Sequence, residues 1–177
     1  MKKIAMIIAP QGFQDVEFNT PYQYFLSKGA IVDVYSTRKG LAKGSFRATV
    51  DVTHSIDELN VNDYDAITFV GGPGTIILRS DKDSVRISKE AFNAGKIIGA
   101  ICWSPTILAK SGILDGKNAT VWDWDDPEFG MLTSEYLGNK GAKYTGEDVT
   151  VDGKIVTANG PPAAQEYAEK LWNILNF

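Results

Sequence analysis

The sequence predicts one doubly wound α/β domain over residues 1–177, a mostly parallel sheet with helices on both faces. Three observations point there. Strand-length apolar runs alternate with amphipathic stretches along the whole chain. The strand-like runs are apolar throughout rather than at every second position, as burial on both faces of a parallel sheet requires. No internal repeat, low-complexity segment or linker interrupts the alternation.

The elements follow in order. "KIAMIIA" (3–9) reads as the first strand; its apolar stretch is too short for a signal-peptide core and ends at Pro10 rather than at a small-residue cleavage site. A helix is expected over about 15–28, then a strand "IVDVYST" at 31–37. "SIDEL" (55–59) reads as a short helix with a capping box, Ser55 three residues before Glu58. "DAITFV" (65–70) is a strand running into "GGPGT", and apolar spacing places a helix near 81–94. "KIIGAI" (96–101) is a strand, 105–109 a helix stopped near Gly112, and "ATVW" (119–122) a shorter strand. Asp126-Pro127 reads as an N-cap with proline at the first helical position, opening a helix that fades by Gly138. "VTVDGKIVTA" (149–158) is a hairpin around Asp152-Gly153, and a last helix covers about 162–175.

Composition narrows the function classes. Net charge is −4 with no Lys/Arg cluster, which argues against nucleic acid and anionic membrane as partners. One cysteine permits no intramolecular disulfide, and one histidine, His54, leaves little for a zinc site. No metal or cofactor is therefore expected, and the cysteine usage fits a reducing, cytoplasmic setting. No apolar run approaches the length needed to cross a bilayer.

In open α/β sheets ligands bind beyond the carboxyl ends of the strands. Cys102 ends the 96–101 strand, Gly71-Gly72 ends the 65–70 strand, and the first strand leads by a loop to Glu17. A parallel sheet brings all three ends to one edge. Cys102 precedes a helix that Pro105 can start, so helix N–H groups there would favour a thiolate. That makes it a nucleophile elbow without the usual flanking glycines. Packing is the alternative, since free cysteine is often buried as a small hydrophobe. Ser104 is placed either to cap the helix or to reach the sulfur. The Gly71-Gly72 turn lets backbone approach a substrate, so its amides and that of Trp103 form a candidate oxyanion hole.

Four stretches together resemble the DJ-1/PfpI (ThiJ) family: "IIAPQGFQDVEFNTP", "YDAITFVGGPG", "AICWSPTILAKSGILDGKNATVW" and "VDGKIVTANGPPAAQEYA". The resemblance implies a flavodoxin-like, class I glutamine amidotransferase-like fold. It also implies Cys102 as nucleophile, a protonated Glu17 beside it, and oxyanion-hole amides at Gly72 and Trp103. Arg47 falls where the family has an arginine near the pocket and dimer surface, with a solvated surface position as the alternative; because members of the family are usually homodimers, the resemblance also implies a homodimer or higher homo-oligomer. Two positions depart from the family. Peptidase-like members carry histidine after the cysteine, where this chain has Trp103; others place one at the end of the next strand, where it has Trp122. Thr75 and Ile76 stand where the peptidase branch supplies a glutamate, and His54, expected on a surface or interface loop, matches neither histidine. Trp103, Trp122 and Trp124 either wall a pocket or pack, and Asp123 is a candidate replacement base lining it.

The expected activity is attack by Cys102 on a small reactive carbonyl compound, glyoxalase-like or hydrolytic. A redox-sensing or stress-protective protein with an oxidisable cysteine is the alternative. A cysteine peptidase is disfavoured, because the histidine base is missing.

Overall fold

The computed structural model describes all 177 residues. The chain opens with β1 (Lys3–Ile7), β2 (Gln11–Phe13), α1 (Asp15–Ser27) and β3 (Ile31–Ser36). It continues through β4 (Gly40–Gly44), β5 (Thr49–Val52), β6 (His54–Ser55), β7 (Ala66–Phe69), α2 (Thr75–Ser80) and α3 (Lys82–Asn93). β8 (Ile97–Ile101), α4 (Pro105–Ser111), β9 (Asn118–Ala119), β10 (Asp125–Asp126), β11 (Met131–Leu132), α5 (Thr133–Asn139) and β12 (Lys143–Tyr144) come next. β13 (Val149–Asp152), β14 (Ile155–Ala158) and α6 (Ala164–Leu175) complete it.

Seven strands form the central sheet in the order β13-β14-β8-β7-β1-β3-β6, parallel except for the β13–β14 hairpin. The apolar runs explain why. Ala5 and Ile7 of β1 point into one core with Ile98 and Ala100 of β8, while Ile4 and Met6 point into the other with Ile97 and Ile101. Side chains alternate across a strand, so a strand between two cores must be apolar at every position. From β1 the chain winds outward to β3, then returns to the other side of β1 for β7 and β8. The order reverses between β1 and β7, and α1 and α3 lie in different cores. Ligand sites in such sheets form at this switch point.

The structure corrects several expectations. Ser55 makes no side-chain cap bond, and only a single 3-10 turn forms over Ile56–Glu58. Residues 119–122 do not enter the main sheet; only Asn118–Ala119 pair, with Lys143–Tyr144. Asp126-Pro127 opens no helix. Asp126 does accept the amides of Glu128 and Phe129, as a cap would, but the chain turns into β11 and the helix starts at Thr133. A three-stranded sheet of β2, β4 and β5 occupies a region where the sequence indicated no element. His54 sits in the edge strand β6, stacked on Tyr35 with ring centres 5.1 Å apart. No helix is long and apolar enough to cross a membrane.

Candidate active site

β8 ends at Ile101, and the next residue adopts φ 64°. Cys102 is thus a non-glycine residue in the left-handed region, a conformation costing on the order of 1–3 kcal/mol that persists only where its surroundings impose it. The bonds that impose it are present. The Cys102 amide donates to Ala158 O at 2.8 Å, and Cys102 O accepts from the Trp122 amide at 2.8 Å. Ser104 settles its own alternative by doing neither expected job. Its hydroxyl accepts from the Ile101 amide at 2.8 Å and lies 2.8 Å from Phe69 O, tying the ends of β8 and β7 together.

Glu17 arrives from the first turn of α1. Gln14 caps that helix, its side-chain oxygen accepting from the amides of Val16 at 2.6 Å and Glu17 at 3.0 Å. The Gln14 amide donates to Gly71 O at 2.9 Å, which docks the helix start on the diglycine turn. Both glycines are required. A Cβ on Gly72, at φ 104°, would lie 2.6 Å from the Gln14 nitrogen. One on Gly71 would lie 2.5 Å from Cys102 Cβ and 2.6 Å from Glu17 Oε2. Gly71 therefore lets the acid and the thiol meet rather than lining the cavity.

Glu17 is fully buried, and its Oε2 accepts from the Gly71 amide at 3.1 Å while its Oε1 has no partner. Burial lifts its carboxyl to about 8, against hydrogen bonds from Cys102 and Gly71 that pull it down. A carboxyl raised that far favours its protonated form at neutral pH. The thiol departs from the sequence expectation. Burial pushes Cys102 well above the ordinary thiol range, and Glu17 adds to this; the amides of Gly72 and Trp103 beside the sulfur pull the other way. Desolvation thus outweighs the helix N-terminus that the sequence suggested would lower it. Of the two groups Glu17 is the one that loses its proton near pH 8, while the Gly72 and Trp103 amides favour charge on sulfur against its burial.

Cys102 is 8% exposed, and it lines a cavity of about 260 Å³ together with Gly72 and the rings of Trp103, Trp122 and Trp124. Gln14, Pro73 and Pro161 complete the wall. All three lie in stretches that carry the family resemblance, but the sequence did not mark them as lining residues, glutamine being an uncommon helix cap. Two expected site residues lie elsewhere. Asp123 turns away to accept from the Ser134 amide at 3.1 Å and does not line the cavity, so it cannot act as the replacement base. Arg47 is exposed at the β4–β5 turn with φ 77° and also lies outside the lining. No group of three or more His, Cys, Asp or Glu side chains is placed to hold a metal ion.

The sequence profile of the DJ-1/PfpI family matches residues 2–173. This chain belongs to the DJ-1/PfpI family. An uncharacterized protein of Methanocaldococcus jannaschii is 40% identical over 164 residues, 92% of this chain and 77% of that protein. A deglycase of Thermococcus kodakarensis is 32% identical over 156 residues, covering 88% and 89% of the two. The crystal structure of a ThiJ/PfpI domain protein from Brachyspira murdochii superposes with a TM-score of 0.91 at 30% identity, over 98% of this chain and 96% of that one.

One cluster in this DJ-1/PfpI chain went unseen in the sequence. Arg79, on α2, is fully buried. Its guanidinium bonds Asp126 through two nitrogens at 2.9 and 3.1 Å, Glu128 at 3.0 Å and Thr106 at 3.0 Å. It also lies 3.9 Å over the Phe129 ring, which stacks on Tyr136. These contacts fasten the loop that carries Trp122 and Trp124.

Proposed function

We propose that this DJ-1/PfpI protein consumes small 2-oxoaldehydes such as methylglyoxal. One observation carries the reading: a strained elbow presents Cys102 to a cavity, with the buried Glu17 carboxyl and the amides of Gly72 and Trp103 beside its sulfur. The relative from Thermococcus kodakarensis, named a deglycase, supports the same class of substrate. The sulfur adds to the aldehyde carbon, and the amides of Gly72 and Trp103 hold the charge that develops on the former carbonyl oxygen. Glu17 delivers and removes protons while hydrogen moves from the aldehyde carbon to its neighbour. Water then releases the product, so methylglyoxal plus water gives lactate with no external oxidant. A peptidase reading lacks its base, for Trp103 and Trp122 flank the sulfur and His54 does not line the cavity.

Incubation of the protein with methylglyoxal is expected to yield lactate mole for mole with the carbonyl lost, measured by chromatography. Lactate formation no faster than in protein-free buffer overturns the reading. Gly71→Ala tests the geometry. Its methyl must displace Cys102 or Glu17, and a misplacement of about 1 Å can cost about 100-fold in rate. Wild-type turnover in this variant, with unchanged far-ultraviolet circular dichroism, would contradict the pairing.

A further inference from the structure

The cavity over Cys102 has a one-sided chemistry. Three indoles and the rings of Pro73 and Pro161 surround it, Gln14 is its one uncharged polar side chain, and no Lys, Arg, His, Asp or Glu lines it. Its volume of about 260 Å³ exceeds what a three-carbon dicarbonyl fills and accommodates one carrying a six-membered ring.

The aromatic wall is also held in place. Trp122 and Trp124 remain 40% and 59% exposed, a large apolar surface to leave at a cavity mouth. Yet their backbone is fixed: the Thr133 hydroxyl donates to Trp122 O and accepts from the Trp124 amide, and Arg79 clamps Asp126 two residues further on. Indoles on a fixed backbone offer flat faces and positive edges at a set place, the surface on which another aromatic ring stacks offset or edge-on.

We propose that this cavity selects 2-oxoaldehydes bearing an aromatic substituent, with Trp122 and Trp124 as the specificity-determining residues. The inference rests on the reading that Cys102 attacks such carbonyls. For phenylglyoxal the balance is the same as for methylglyoxal: addition of sulfur to the aldehyde carbon, hydrogen transfer to the adjacent carbon, and hydrolysis, giving mandelate from phenylglyoxal and water. The ring lies against the indoles while the aldehyde faces the sulfur.

The test compares kcat/KM for phenylglyoxal and methylglyoxal in wild type and in Trp122→Ala/Trp124→Ala. Intrinsic reactivity cancels in the ratio between proteins. The preference for phenylglyoxal is expected to fall at least about tenfold in the variant. An equal change for both substrates, or none, overturns the proposal while leaving the proposed function standing. A second arm needs no turnover. Calorimetric titration of Cys102→Ser with acetophenone and with acetone should show binding of the aromatic ketone only, weakened in the triple variant. Acetophenone binding without consumption of either aldehyde would sink the proposed function and retain the aromatic site. Equal or absent binding of both ketones overturns the site itself.

Discussion

Cys102→Ser is expected to reduce lactate formation from methylglyoxal by about three orders of magnitude or more, down to the protein-free rate. Serine fits the elbow, so the fold should persist, but a hydroxyl ionises far less readily than a thiol and no histidine stands beside it. Glu17→Gln separates the acid from the sulfur. In the wild type, the pH dependence of turnover should carry a limb near 8, where Glu17 loses its proton. With glutamine at position 17 that limb should disappear, leaving the thiol to titrate alone at higher pH, because burial still disfavours its charge. Thiolate absorbance against pH, followed in parallel with rate, reads both. The same substitution has a stability signature of opposite sense. Glu17 is raised from 4.5 to about 8, so between those values the folded chain holds a proton that the unfolded chain has released. Stability declines as pH rises across that window. Glu17→Gln should therefore show its largest gain in Tm over wild type above pH 8, while losing activity. A variant that loses both would mark Glu17 as structural.

Arg79→Ala is expected to cost about 3–5 kcal/mol, since it leaves the fully buried Asp126 carboxylate with two loop amides but no cation to balance its charge. For a chain of this size that corresponds to a fall in Tm of roughly 6–20 °C. Glu128 contributes less, because it remains partly solvated at 38% exposure. Arg79→Met combined with Asp126→Leu should recover part of the loss, because the double change removes the fully buried charge pair together, leaving the partly solvated Glu128 without its cation and the two loop amides without their acceptor. Thermal melts of the two variants decide the matter: equal melting temperatures would show that the charged pair itself is not what fastens the loop.

Much of this architecture was legible in the residues. The unbroken apolar runs at β1, β7 and β8 can only be strands with a core on each side, and that ordering brings Cys102, Gly71 and Glu17 to one edge. Hidden features share a cause, which is dependence on partners distant in the chain. β4 begins and ends on Gly40 and Gly44, and β5 is only the four residues Thr49–Val52, so neither carries a strong periodic signal. Arg79 lies on α2, a short helix that the sequence did not indicate, and its burial depends on carboxylates 47 and 49 residues away. The thiol's upward shift has the same origin: a helix N-terminus can be read locally, but desolvation by α1 and the diglycine turn cannot.

The bond from the Trp122 amide to Cys102 O joins one wall of the cavity to the elbow in a single backbone contact. Entrance width and nucleophile aim are consequently geared together at residue 122, so refitting the protein to bulkier compounds through that segment would also tilt the sulfur. Residue 124 has no such coupling to the elbow. An engineer could reshape the doorway there and leave the reacting atom where it stands.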